Sequence, residues 1–127
     1  MEPATREYIL DIISQKDKLY ISSQSRLCIP IINRIYRKML VGIRFTEIKV
    51  DNGLICDGHH GYIASLLANY NLGILPCART SATKVVNWID VDFVMEDWDT
   101  SAKINHLNEL DATYSGITLR ELAELLK

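Results

Sequence analysis

The sequence is short of the residues that mark several common protein classes. It has three cysteines, Cys28, Cys56 and Cys77, with no C-x-x-C pair among them. The odd count points away from a disulfide framework and toward a reducing, cytoplasmic setting. No apolar run approaches the roughly 20 residues that crossing a bilayer requires, so no membrane partner is expected. The segment Met1 to Glu7 has no cationic start followed by an apolar core, which is the pattern of a secretory leader. Internal repeats and low-complexity stretches are absent. With 48% hydrophobic and 24% charged residues over 127 positions, disordered and fibrous classes are excluded, and one domain over 1–127 is expected.

Net charge is only −2, but it is unevenly distributed. Residues 1–49 carry nine Lys and Arg against five Asp and Glu, whereas residues 50–127 carry five against eleven. A basic face beside an acidic one follows from such polarity. With an isoelectric point near 5.9, wholesale binding of a duplex through its phosphates is not favoured, because that mode leaves a strongly basic footprint.

Hydrophobic spacing predicts an N-terminal helical segment over 4–40. Its first helix spans Thr5 to Gln15 with Thr5 as N-cap, and its second spans 29–40 with Pro30 in the first turn. Ile43 to Val50 alternates with period two, as a half-buried strand does. Asn52-Gly53 then turns the chain in the manner of a type I′ hairpin, and Leu54 to Cys56 returns. A helix from His59 stops at Asn71-Leu72-Gly73, and Ile74 to Ala78 reads as a third strand. Val85 to Met95 is strand-like. Over 99–127 two helices close the chain: one capped by Asp99 or Thr100 and running through Leu110, the other opened by a Thr118/Glu121 capping box. The class is α+β: a short mixed sheet with helices before and after it.

The informative stretch is Val50 to Ser65, where a hairpin delivers Asp57-Gly58-His59-His60-Gly61 to the start of a helix. Free backbone N–H groups and the positive end of the helix dipole make such a terminus an anion site, and Gly58 and Gly61 let a phosphate come close. A histidine there has its charged form disfavoured.

Strand, Asp-Gly-His-His, then an apolar helix continuing through Tyr62 and Ala64 resembles the core motif of the ParB/sulfiredoxin-like superfamily, over a motif core of 43–78. The resemblance implies a small α+β fold whose motif helix points at a nucleotide or nucleic-acid phosphate, with Mg²⁺ and ATP or CTP as the cofactors. Carried over by position, Asp57, His59 and His60 are the candidate catalytic residues, and Gly58, His59, His60 and Gly61 the candidate phosphate-binding ones. The family arginine, expected to grip a phosphate bidentately, falls at Gly61. Arg79 is the candidate replacement, with Arg34, Arg37 or Lys38 as others. The catalytic cysteine of the sulfiredoxin branch falls at His59, so reductase chemistry of that kind is not supported.

Cys56, Asp57, His59 and His60 are competent metal ligands, but adjacent histidines diverge on a helix, so no resident metal site is expected. Cys28, Cys56 and Cys77 read as small residues of the core or pocket wall, and His106 as a surface residue. Trp88 and Trp98 flank an acidic segment, 90–99, which offers a protein-binding patch if the two rings are exposed. Two functions follow. One is a phosphate-binding domain acting on a nucleotide or nucleic acid, with phosphoryl or phosphodiester transfer of the NTPase, kinase or nuclease type if it is an enzyme. The other is a catalytically silent interaction module, of immunity or antitoxin type or a complex subunit, that binds a protein through the acidic segment. If the motif serves a ligand, His60→Ala is expected to leave the melting temperature nearly unchanged.

Overall fold

The computed structural model describes residues 3–127, so Met1 and Glu2, with which the leader reading begins, lie outside the described residues. Helix α1 (Arg6–Ser14) starts where Thr5 Oγ1 accepts the Tyr8 N–H at 3.2 Å, and it buries Ile9 and Ile13. Strand β1 (Arg26–Cys28) leads directly into α2 (Ile29–Leu40), which carries Pro30 in its first turn, where the missing N–H costs no helical bond. The hairpin of β2 (Ile48–Asp51) and β3 (Leu54–Asp57) turns on Asn52 and Gly53, both at positive φ, as a type I′ turn requires. Helix α3 (His59–Ala68) follows, then β4 (Ile74–Pro76), a 3₁₀ turn (Trp88–Asp90), β5 (Asp92–Val94), α4 (Ser101–Tyr114) and α5 (Leu119–Leu125). Thr100 caps α4, and the Thr118/Glu121 capping box is formed at α5.

These elements make a small α+β fold. One three-stranded sheet has the order β3-β2-β4, antiparallel at β2/β3 and parallel at β2/β4. A second sheet pairs β1 with β5 in parallel. An extended strap, residues 20–28, joins the two: Ile21 exchanges backbone hydrogen bonds with Gly53 and Ile55, Ser22 O accepts from Val86, and Ser25 O accepts from Asp92. Helices α2 and α3 pack on one another over a core of Leu27, Ile29, Ile32, Ile55 and Ile63. A smaller cluster of Ile43, Ala112 and Leu122 fastens the last two helices.

Several expected boundaries move for physical reasons. The strand expected over 43–50 begins only at Ile48, because the Arg44 and Phe45 amides bond to the Ser115 Oγ (2.9 Å) and the Tyr70 hydroxyl (3.2 Å) instead of to a neighbouring strand. Helix α3 ends before Asn69, which adopts the left-handed conformation and satisfies its N–H on Ser65 O. The 85–95 region yields a single bridge at Val86, the 3₁₀ turn and β5, since the Trp88 indole N–H donates to Tyr20 O at 2.8 Å and draws the chain inward. The strand expected over 74–78 ends at Pro76 and lies exposed at the sheet edge, where a proline has no N–H to offer an approaching strand.

Candidate functional site

Gly58 begins the site. It caps α3 at φ +97°, and a Cβ there would lie 2.6 Å from Ile48 Cγ2, so only glycine fits. No side chain caps this end, and the amides of His59, His60 and Gly61 have no hydrogen-bond partner among the described residues. Gly58, His60 and Gly61 face a cavity of about 230 Å³ that Thr46, Glu47 and Leu72 also line. The charged residue in that lining is a carboxylate. A larger groove, about 510 Å³, lies away from the motif between α2 and α5.

The two histidines diverge, as adjacent helical positions must, and grip the strap at two points. His59 is buried, and its Nε2 accepts the Ser23 N–H at 3.0 Å; the Ser23 hydroxyl, 3.2 Å from the same nitrogen, donates to Ile55 O at 2.6 Å. His60 Nε2 accepts the Cys28 N–H at 2.9 Å, and its ring meets Trp98 edge-on at 5.6 Å. An Nε2 that accepts fixes the neutral tautomer with the proton on Nδ1. In His59 that Nδ1 is buried without a partner. Burial pushes both rings down to about pH 4, the neighbouring His60 adding to the effect on His59, while Asp57 and Asp99 pull His59 and His60 respectively the other way. Both are therefore neutral near pH 7.

The remaining sequence candidates divide. Asp57 stands exposed at the end of β3 and makes no hydrogen bond to His59. Tyr62 is structural: its hydroxyl accepts the Tyr20 N–H at 3.1 Å and its ring stacks on Trp88. Arg79 is not at Gly61. Its Nε donates to Asp51 Oδ2 at 3.1 Å and its Nη2 to Asp51 O at 2.8 Å. Arg34 forks onto Asp97 (2.6 and 2.9 Å) and reaches Asp99 at 3.2 Å, which raises its own pKa and holds the Asp97 carboxyl near 2. Arg37 donates to Leu126 O, and Lys38 is buried against Asp111 at 2.7 Å.

Trp88 is buried, so of the two tryptophans only Trp98 is exposed. The acidic segment is likewise partly internal, since the Asp99 side chain is covered and Asp97 is engaged by Arg34. His106 is on the surface. Cys28 is buried as expected, but Cys56 and Cys77 are joined in a disulfide that ties the end of β3 to the residue after β4. An odd cysteine count excludes only complete pairing. No local sequence signal marks the pairing, which follows from β3 and β4 flanking β2. Among the described residues no three His, Cys, Asp or Glu side chains gather in a way that could hold a metal ion. Among the described residues no helix is long and apolar enough to cross a membrane. The strap residues Ser23 and Cys28, which the histidines hold, carry no local sequence signal of that role. No family, curated protein or solved structure matches the chain.

Proposed function

We propose that the chain is a catalytically silent protein-interaction module, of immunity or antitoxin type or a subunit of a complex, on a frame resembling the ParB/sulfiredoxin-like superfamily. The observation that carries this reading is that none of the cations offered in place of the missing arginine lines the motif cavity: Arg79 lies on Asp51, Arg34 on Asp97 and Asp99, Arg37 on Leu126 O and Lys38 on Asp111. Phosphoryl transfer depends chiefly on positioning and charge stabilisation. A general base must also present a free lone pair, whereas each motif histidine gives its Nε2 to a backbone N–H. The binding surface in this reading lies over 89–98. Ile89 and Met95 are 71% and 68% exposed, Trp98 is exposed beside them in sequence, and Asp90 and Glu96 supply negative charge, Asp92 being paired with Arg26 at 3.8 Å. Aromatic and methionine side chains are enriched at interfaces, and this combination suits a protein partner with a basic, partly apolar face.

The test combines Ile89→Asp with Met95→Asp. The double variant is expected to keep the wild-type melting temperature and to lose the stoichiometric complex with the partner purified from the native host. Persistence of that complex, or phosphate release from ATP or CTP that is lost in Gly61→Asp, ends this reading. The cytoplasmic setting proposed from the cysteine count requires Cys56 and Cys77 to stand as thiols there, because glutathione and thioredoxin keep such pairs reduced. Acid-quenched thiol trapping reads their state.

A second reading keeps the motif as a phosphate site, favoured by the three unpartnered amides at the start of α3. In it Gly58 and Gly61 admit a phosphate of ATP, CTP or a nucleic acid, Asp57 holds Mg²⁺, and His59 and His60 line the site. Thermal shifts with ATP, CTP, GTP and a short oligonucleotide, with and without Mg²⁺, test it. Stabilisation that disappears in Gly61→Asp supports the site, and silence across the panel removes it.

A further inference from the structure

We infer that the protein carries an anion-binding pocket away from the motif, between the 20–28 strap and the loop over 77–84, suited to a small phosphate-bearing ligand. A cavity of about 460 Å³ opens there, within the size range of small-molecule sites. Ser23, Gln24, Cys56, Arg79, Thr83 and Lys84 line it, and its charged lining residues are both cations. That composition is the reverse of the motif cavity, whose charged lining residue is Glu47.

The walls of this pocket are set before any ligand arrives. On the strap side, His59 and Ile55 hold Ser23 through its N–H and its hydroxyl. On the loop side, the Cys77 N–H donates to Val50 O at 3.2 Å and ties the base of the loop to β2 whether or not Cys56 and Cys77 are joined. The loop then closes on itself, with the Thr83 N–H on Thr80 O at 3.1 Å and the Thr80 N–H on Thr83 Oγ1 at 3.0 Å. Asp51 fixes Arg79 by accepting its backbone N–H (3.2 Å) and its Nε (3.1 Å). Asp51 Oδ2 and Asp51 O take two of the five guanidinium N–H bonds, which leaves three for a ligand. The Lys84 ammonium and the Gln24 side-chain amide make no hydrogen bond or ion pair among the described residues, and Lys84 is exposed. Because Asp51 offsets one of the two cations, the pocket keeps one net positive charge and a set of free donors. A phosphate group can accept hydrogen bonds from such donors, whereas an apolar ligand would leave them unpaired. Ordering Arg79 in advance removes part of the entropic cost of binding.

Inorganic pyrophosphate is the probe, titrated into uniformly ¹⁵N-labelled protein against chloride at constant ionic strength, with calorimetry in parallel. Saturable binding is expected, with amide shifts confined to Ser23, Gln24 and the 78–84 loop. Lys84→Glu, at an exposed side chain, should fold with an unchanged melting temperature and bind about tenfold more weakly or worse, the loss expected when one charge-assisted hydrogen bond disappears. Combining it with Arg79→Gln should remove binding. The proposal is overturned if the wild-type protein shows no saturable binding. It is equally overturned if the shifts centre on Gly58 to Gly61 and vanish in Gly61→Asp while Lys84→Glu binds as tightly as before.

Discussion

His60 Nε2 accepts the backbone N–H of Cys28 at 2.9 Å, and Cys28 is both the last residue of β1 and the N-cap of α2. One side chain of the motif thus fixes the point where strand passes into helix. Removing it leaves a buried donor unsatisfied, so His60→Ala should lower the unfolding free energy by roughly 1–3 kcal/mol. The expectation of a nearly unchanged melting temperature, natural for a ligand-facing histidine, gives way here to a structural one. Urea denaturation checks it.

Both histidines have folded pKa values near 4, below their ordinary 6.5. Between those values the unfolded chain binds protons that the folded chain refuses. Stability should therefore be flat above about pH 6.5 and fall steadily as pH drops toward 4. Asp97 acts in a lower window: its folded value near 2 lies below the usual 3.8, so its contribution is present above 3.8 and is lost as pH falls toward 2. Melting curves from pH 8 to about pH 2 test the order of the two windows, and in His60→Gln the upper fall should shrink.

Lys38 lies buried on α2 and meets Asp111 of α4 at 2.7 Å. Breaking such a pair from one side strands a charge, so Asp111→Ala should cost roughly 3–5 kcal/mol. Replacing both residues, as in Lys38→Met with Asp111→Leu, should restore most of that loss. Chemical denaturation of the two variants measures the difference.

Two glycines three positions apart should respond oppositely to alanine. Gly58→Ala meets Ile48 Cγ2 and demands a left-handed backbone, and should destabilise by about 2 kcal/mol or more. Gly61 is helical with open space around its Cβ position, and Gly61→Ala should stabilise by about 0.5–1 kcal/mol. A Gly61→Ala variant that loses stability would mean that the helix end is more crowded than these distances imply.

The sequence conveyed local order well. The Thr5, Thr100 and Thr118 caps, the Asn52-Gly53 turn and the periodicity of α2 each depend on neighbours a few residues away, and each element stands within a few residues of its expected place. What was hidden depends on distance along the chain. Nothing near Ser23 signals that His59 will take its amide, 36 residues on, and the Cys56–Cys77 bond becomes visible only when β3 and β4 are seen to flank β2. The candidate site was legible as a motif but not as an environment. Asp57-Gly58-His59-His60 does open a helix, yet the direction of the imidazole nitrogens is set by the strap rather than by the motif.

The strap also governs how the molecule can assemble. Residues 20–28 are made early, but their partners lie between Gly53 and Tyr62 on one side and between Val86 and Glu96 on the other. On the ribosome, the strap must therefore wait until nearly three quarters of the chain has emerged before its backbone groups are satisfied. Closing such long loops before any contact is gained slows folding. A nascent chain paused before β5 exposes a ready-made extended edge, and that intermediate is where a chaperone would be needed most.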